Sequence, residues 1–404
     1  MNTSGEIRNI LIGVSGGIAA YKIPILVRLL RKNGYAVKVV LSPMGARLVS
    51  AETLRTLSGN TVYTEVTSSE YDMGHISLQE WADLFLVAPA TANTLGKFRC
   101  ALADSLLTTL GISLTVPLLF APAMNDAMWA NEGVQENIHA ISQRHNCCIL
   151  PIAEGELACG VRGAGRMVEP EDLYAYIDMA TSSYIPVLAG KRILITSGPT
   201  CEPLDPVRVL SNRSSGKMGT ALARAALYLG ARDVVFIHGP QREQLPAGCC
   251  CVSVTTAQQM HKAVQAHMSS CDMGIMAAAV GDFSCAGDVP SEKIRREASG
   301  DSQGKYTLAL EKNEDIAAWF GRHKSSHQLL ITFSLETEGL ERAAEKMRRK
   351  NADFTVYNTV SEGLEGDTTE IRLLSRASDA VVLHMHDVSK NDAARGILEA
   401  VVSV

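Results

Sequence analysis

Two apolar, β-branched runs, at residues 9–14 and 192–196, each break into a loop of glycine, serine and other small or polar residues and then into a helical pattern, about 180 residues apart. Parallel neighbours cannot be joined by a tight hairpin, so a strand that hands over to a helix in this way opens a sheet with crossover helices. One such opening specifies one sheet. Two of them in 404 residues, a length beyond one ordinary domain, predict two doubly wound domains in series.

The intervening pattern supports an α/β chain of two Rossmann-like domains. Further buried strands are expected at 37–41, 84–88 and 118–121 in the first half, and at 233–237, 273–277, 329–333 and 354–357 in the second, with helices between and a terminal helix over 391–402. Near 181–190 the pattern lapses into Thr181-Ser182-Ser183-Tyr184-Ile185-Pro186, which reads as a linker. The expected division is therefore 1–180, a linker at 181–190, and 191–404. A net charge of −5 makes no case for nucleic acid or an anionic membrane surface. The polar opening residues carry no apolar signal core, and no apolar run is long enough for a bilayer. Ten cysteines show no Cys-x-x-Cys spacing, so zinc is not indicated and mostly inert thiols in a reducing cytoplasm are expected.

In the first half, Gly13-Val14-Ser15-Gly16-Gly17 sits where strand becomes helix. Glycines let backbone approach a phosphate, and a helix start presents free N–H groups; a tight structural turn selects the same residues. Ala88-Pro89-Ala90-Thr91-Ala92-Asn93-Thr94 and Pro122-Ala123-Met124-Asn125 leave other strand ends, where open sheets bind ligands. His75 is expected in a glycine-containing turn, and Cys159 lies in a glycine-rich stretch that could fold over a site as a flap. Taken singly, each has an ordinary reading: a solvated histidine, an Asx turn, an idle cysteine. In order, these motifs resemble the homo-oligomeric flavin-containing cysteine decarboxylases over residues 6–180, phosphopantothenoylcysteine decarboxylase in particular. The resemblance implies FMN held by Ser15, Gly16, Gly17, Ser42, Ala90 and Thr91. It also implies His75 as an active-site histidine, Asn125 as the binder of the substrate carboxylate, and Cys159 as a proton donor. The implied chemistry is oxidation of the substrate thiol to a thioaldehyde, loss of carbon dioxide, and return of the enethiol to a saturated thiol. Family sites close between subunits of trimeric units. Asp104-Ser105 departs from the acidic or amide–acid pair usual in the family, and only a local effect is expected.

In the second half, Ser211-Asn212-Arg213-Ser214-Ser215-Gly216-Lys217-Met218-Gly219 is dense in donors and ends at a helix start, which suits an anion, although a solvated loop has the same composition. It is not a Walker loop, since no glycine stands five residues ahead of Gly216-Lys217. Ala277-Ala278-Ala279-Val280-Gly281-Asp282 offers small residues and then a carboxylate at a strand end. Arg342, Lys346 and Lys350 fall at i, i+4 and i+8 of one helix. Like charges so spaced cost about 0.2–0.5 kcal/mol per pair, which a bound polyanion would offset; Glu341 and Glu345 are a nearer compensation. This ordered set resembles phosphopantothenate–cysteine ligase over residues 190–402, the family fused behind the decarboxylase in many bacteria. The resemblance implies condensation of phosphopantothenate with cysteine through an acyl-cytidylate, with CTP and Mg²⁺. By motif, Asn212 contacts the acyl-cytidylate and Ala278 shapes the phosphopantothenate site. Asp282 and Phe333 match cytosine-side positions, and Lys293, Lys346 and Lys350 match triphosphate binders. Glu314, Asp315, Ile316 and Ala317 fall at the nucleotide, and Asn358 at a ligand-adjacent asparagine. The chain departs from the family at Gly281, Glu314, Ser334 and Leu335, which bears on nucleotide preference and rate. Ligase dimers alongside decarboxylase trimers are the implied assembly.

Two rival readings remain at this stage. A nicotinamide oxidoreductase would want Gly-x-Gly-x-x-Gly and an acidic ribose contact, and residues 13–18 lack that spacing. A non-enzymatic flavin-fold scaffold would have no use for His75, Asn125, Cys159 and the ligase lysines together.

Overall fold

A computed structural model describes residues 7–64, 68–156, 162–294, 307–336, 339–359, 366 and 368–403. The chain divides into two compact units, Met1–Pro186 and Val187–Val404.

The first unit is built on β1 (Asn9–Val14), β2 (Ala36–Leu41), β3 (Val62–Tyr63), β4 (Leu84–Ala90), β5 (Leu118–Pro122) and β6 (Cys147–Ile149). They form one parallel sheet in the order β3-β2-β1-β4-β5-β6. The strands are continuous apolar runs because helices cover both faces; every residue of β4 and β5 is buried. On one face Phe85, Phe98 and Phe120 meet, with the rings of Phe98 and Phe120 edge to face at 5.0 Å. An antiparallel pair, β7 (Ile152–Glu156) and β8 (Arg162–Met167), lies outside the main sheet. Strand order reverses between β1 and β4, the switch point at which such sheets bind ligands.

His75 does not lie in a turn. It belongs to the helix Ser68–Trp81. Gly74 costs a helix interior only about 1 kcal/mol relative to alanine, and the fully buried Leu78 anchors the segment to the core.

The second unit has β9 (Arg192–Ser197), β10 (Cys201–Pro203), β11 (Val209–Ser211), β12 (Asp233–His238), β13 (Cys250–Ser253), β14 (Met273–Met276), β15 (Phe283–Cys285), β16 (Leu310–Lys312), β17 (Leu329–Glu336), β18 (Phe354–Thr359), β19 (Thr368–Ser375) and β20 (Ala380–Ser389). Its main sheet runs β13-β12-β9-β14-β17-β18-β19-β20. The first six strands are parallel and the last two antiparallel. The polar loop after β9 is partly ordered as the ribbon β10–β11, and β15 pairs with β16. The closing helix Lys390–Ser403 buries Ala393, Ala394, Ile397, Leu398 and Val401, a helical spacing that forms one apolar face. That helix packs on β20 and on the helix Lys217–Tyr228.

Among the described residues no helix is long and apolar enough to cross a membrane. Burial pushes the Cys148 thiol up to about 12 and the Cys271 thiol to about 11, so both stay protonated.

Candidate functional site

In the first unit a cavity of about 960 Å³ opens at the carboxyl edge, beside the switch point. Its wall brings together Gly16 and Gly17 after β1, Ser42 after β2, Thr91 after β4 and Asn125 after β5. These residues are far apart in sequence, and the parallel sheet delivers them to one edge because all its strands end on the same side. The backbone is tightly drawn. A Cβ at Gly16 would lie 2.4 Å from the Cβ of Met44, and one at Gly165 would lie 2.3 Å from the carbonyl oxygen of Met124. Gly165 also takes a φ of 133°, which side chains disfavour. It lets β8 press against the Met124 loop, where the Met124 N–H donates to Gly165 O at 3.0 Å.

Asn125 caps the short helix Asp126–Trp129 by accepting the Met128 N–H at 2.8 Å. With Oδ1 so engaged, its amide nitrogen is the end left to donate. Ser15 and Ala90 are buried rather than wall residues. The Ser15 hydroxyl donates to Pro89 O at 2.7 Å and accepts the Thr91 N–H at 3.3 Å, so it locks the β1 and β4 loops together. His75 is half-buried and is not part of this wall. Cys159 lies outside the described residues.

Other wall residues are fixed by charge pairing and capping. Lys97 reaches Asp104 at 2.6 Å and holds that carboxyl below the usual carboxylate range. Ser105 caps the helix Leu106–Ser113 in a reciprocal bond with Thr108. Lys22 is almost wholly buried, and its ammonium donates to Met167 O and Glu169 Oε1, both at 2.8 Å. Arg166 reaches the same Glu169 oxygen at 2.9 Å. A buried ammonium is tolerable only when paired in this way, and the arrangement leaves two cations sharing one carboxylate beside the cavity. Its volume suits a cofactor-sized ligand. Its glycine-lined, hydroxyl-bearing edge fits a phosphate monoester, so the residues present fit FMN.

In the second unit a smaller pocket of about 170 Å³ lies at the carboxyl edge of β9, β14 and β17. It unites Ala278, Asp282, Glu314, Asp315, Ile316, Ala317, Phe333 and Lys350. The segment after β14 is held open by hydrogen bonds. The Ala278 N–H donates to Thr196 Oγ1 at 3.3 Å, and the Gly281 N–H donates to Thr200 Oγ1 at 2.9 Å. Asn313 Nδ2 donates to Gly281 O at 2.8 Å. Asn212 is tied to the same segment, its Nδ2 donating to Val280 O at 3.0 Å. Thr196, Thr200 and Asn313 act by position, and no residue-type signal marks that role.

The charges here are largely compensated within the chain. Lys350 lies 3.2 Å from Asp315, which also caps the helix Ile316–His323, and Glu314 pairs with Arg322 at 2.8 Å. Lys346 and Lys293 are not part of the wall. Lys293 precedes Ile294, whose N–H donates to Asp205 at 3.2 Å. Asp205 is buried, and burial disfavours its charge. Three N–H donors, from Val207, Arg208 and Ile294, together with the Arg208 guanidinium at 2.9 Å, nevertheless hold the carboxyl below its ordinary range. Asn358 at the end of β18 is buried, with Nδ2 donating to Thr369 Oγ1 at 2.9 Å. It therefore braces β19.

The family model described as "DNA/pantothenate metabolism flavoprotein C-terminal domain" matches residues 188–404, and the model described as "Flavoprotein" matches residues 1–182. The chain is 39% identical over 363 residues to the coenzyme A biosynthesis bifunctional protein CoaBC of Vibrio cholerae, covering 89% of each chain. It is 38% identical over 406 residues to the protein of the same name from Bacillus subtilis, covering 98% of this chain and 97% of that one. A crystal structure of the C-terminal domain of a CoaBC protein aligns with 54% of this chain and 97% of its own, at 36% identity and a TM-score of 0.44.

Proposed function

Because this chain belongs to the CoaBC family of bifunctional coenzyme A biosynthesis enzymes, with a flavoprotein decarboxylase domain and a ligase domain, we propose that it makes phosphopantetheine from phosphopantothenate and cysteine in two stages. The observation that carries this reading is the meeting of sequence-distant motif residues at the carboxyl edge of each parallel sheet.

The ligase stage comes first in the chemistry. The phosphopantothenate carboxylate attacks the α-phosphorus of CTP and pyrophosphate leaves. The amine of cysteine then attacks the acyl carbon and expels CMP. Catalysis of this kind rests on positioning and charge neutralisation. Asp282 and Phe333 hold the base, and a pocket of about 170 Å³ is room for only part of a nucleotide. Lys350, Lys346 and Lys293 take the triphosphate, with Lys350 leaving Asp315 to do so. Asn212 and Ala278 flank the acyl-cytidylate. Mg²⁺ enters with the nucleotide phosphates, its usual mode of binding.

In the decarboxylase stage, bound FMN would supply the electron sink that the N-acylated cysteine carboxylate lacks. Gly16, Gly17, Ser42 and Thr91 hold its phosphate end, with Ser15 and Ala90 fixing the loops beneath. Asn125 presents its amide nitrogen to the substrate carboxylate, and Cys159 returns the proton that completes the thiol product. His75 serves the cavity of a neighbouring copy, in a homo-oligomer of decarboxylase trimers and ligase dimers.

The test is to supply phosphopantothenate, cysteine, CTP and Mg²⁺ to the purified chain and follow thiol products by mass. Phosphopantothenoylcysteine should appear first and phosphopantetheine second, with the protein yellow. Asn212→Asp should block the first product while decarboxylation of supplied phosphopantothenoylcysteine continues. A chain that stays colourless with added FMN and releases no pyrophosphate from CTP would sink the reading.

A further inference from the structure

The second unit holds another cavity, of about 630 Å³, at the amino ends of β9, β14, β17 and β18. This is the opposite edge of the sheet from the nucleotide pocket, and none of the ligase residues named above line it. One part of its wall is apolar: Leu188, Met273 and Phe354 are buried there, and Val401 and Val402 close it from the terminal helix.

Three features give it chemistry. Ser375, at the end of β19, is completely buried in this lining, and its hydroxyl finds no hydrogen-bond partner among the described residues. A buried hydroxyl without a partner is unfavourable, and a ligand oxygen would relieve it. Lys191 carries no ion pair among the described residues. The Arg376 guanidinium is bonded to the neutral amide of Asn351, so its charge is not cancelled. The acidic side is mostly spent. Asp353 is paired with Lys324 and accepts the Leu330 N–H at 2.7 Å, and Asp272 accepts the Arg192 N–H at 2.8 Å. His327 also lines the cavity, its ring bonded to the Ser325 hydroxyl at 3.1 Å. With Lys324 set against Asp353, the lysine and arginine of the lining, Lys191 and Arg376, face one carboxylate, Asp272. The surplus is a single positive charge.

We infer that this cavity binds a small amphiphile, a single carboxylate on an apolar body of medium length. Apolar walls with a few convergent polar groups are the usual make-up of a ligand pocket, and the volume is in the usual range. A surplus of one charge matches a monoanion. The head lies toward Lys191, Arg376 and the Ser375 hydroxyl, and the chain lies along Met273, Phe354 and Val401.

The experiment is calorimetric titration of the full chain with octanoate below its micelle concentration, with octanol as the uncharged control. Octanoate should bind saturably at one site per chain and octanol at least tenfold more weakly. Lys191→Glu combined with Arg376→Glu should weaken octanoate at least tenfold and leave octanol unchanged. Ser375→Ala should weaken octanoate at least threefold without lowering the melting temperature, because it removes a hydroxyl that has no partner in the free protein. That opposition separates a binding role from a packing role. Absence of saturable octanoate binding overturns the inference, as does equal affinity for octanol or indifference to either set of substitutions.

Discussion

At Gly281 a Cβ would meet nothing closer than the Thr200 hydroxyl at 3.5 Å, an ordinary contact. The departure from the alanine usual in the family is therefore sterically free, and what is used of the residue is its backbone: the N–H bonded to Thr200 and the carbonyl bonded to Asn313. Gly281→Ala should leave ligation intact. It should raise the urea midpoint of the ligase unit by the equivalent of about 0.4–1 kcal/mol, through the smaller entropy of the unfolded chain. Glu314, the charged departure, is answered by Arg322, a compensation eight residues along the chain that composition did not reveal. Asp205 governs a pH effect. Its carboxyl is held below the ordinary Asp value of 3.8, so its contribution to stability is fully present above that value. The contribution is lost as pH falls through the lowered native value. Acid titration of ligase-unit unfolding should show this loss in the parent chain, and Asp205→Asn should flatten it while lowering stability at neutral pH.

Among the elements, the strands most legible in the sequence are those buried on both faces. β1, β4, β5 and β9 are unbroken apolar runs because helices cover them above and below. β19 and β20 were not foreseen. In β19, Ile371 and Leu373 are fully buried while the intervening Arg372 is partly exposed, and β20 is largely exposed at the sheet edge. Such strands are held by their neighbours more than by their own composition. The helix Ser68–Trp81 was missed because its glycine suggested a turn. Ser105 and Thr108 form a reciprocal cap, so Ser105→Ala should destabilise the decarboxylase unit by about 1 kcal/mol. Differential scanning calorimetry should show only that unit's transition lowered, with the ligase transition unmoved.

For the molecule as a whole, two cores without shared residues lead to the expectation that division between Pro186 and Val187 yields two folded pieces. The first should bind FMN and decarboxylate, and the second should ligate; aggregation of both pieces would count against it. If His75 acts in a neighbouring copy, then mixing His75→Asn and Asn125→Asp chains during refolding should restore part of the decarboxylase activity that each lacks alone. The sequence alone determined the fold class and the order of the motifs, because apolar periodicity and glycine-bearing strand ends are local properties of the chain. It could not determine which of those residues share a wall. That Gly16, Ser42, Thr91 and Asn125 meet, that Ser15 is a lock beneath them, and that Lys293 is moored through Ile294 to a buried carboxylate were decided only by tertiary structure. Strand order and the pairing of buried polar groups depend on contacts between segments that no local pattern encodes.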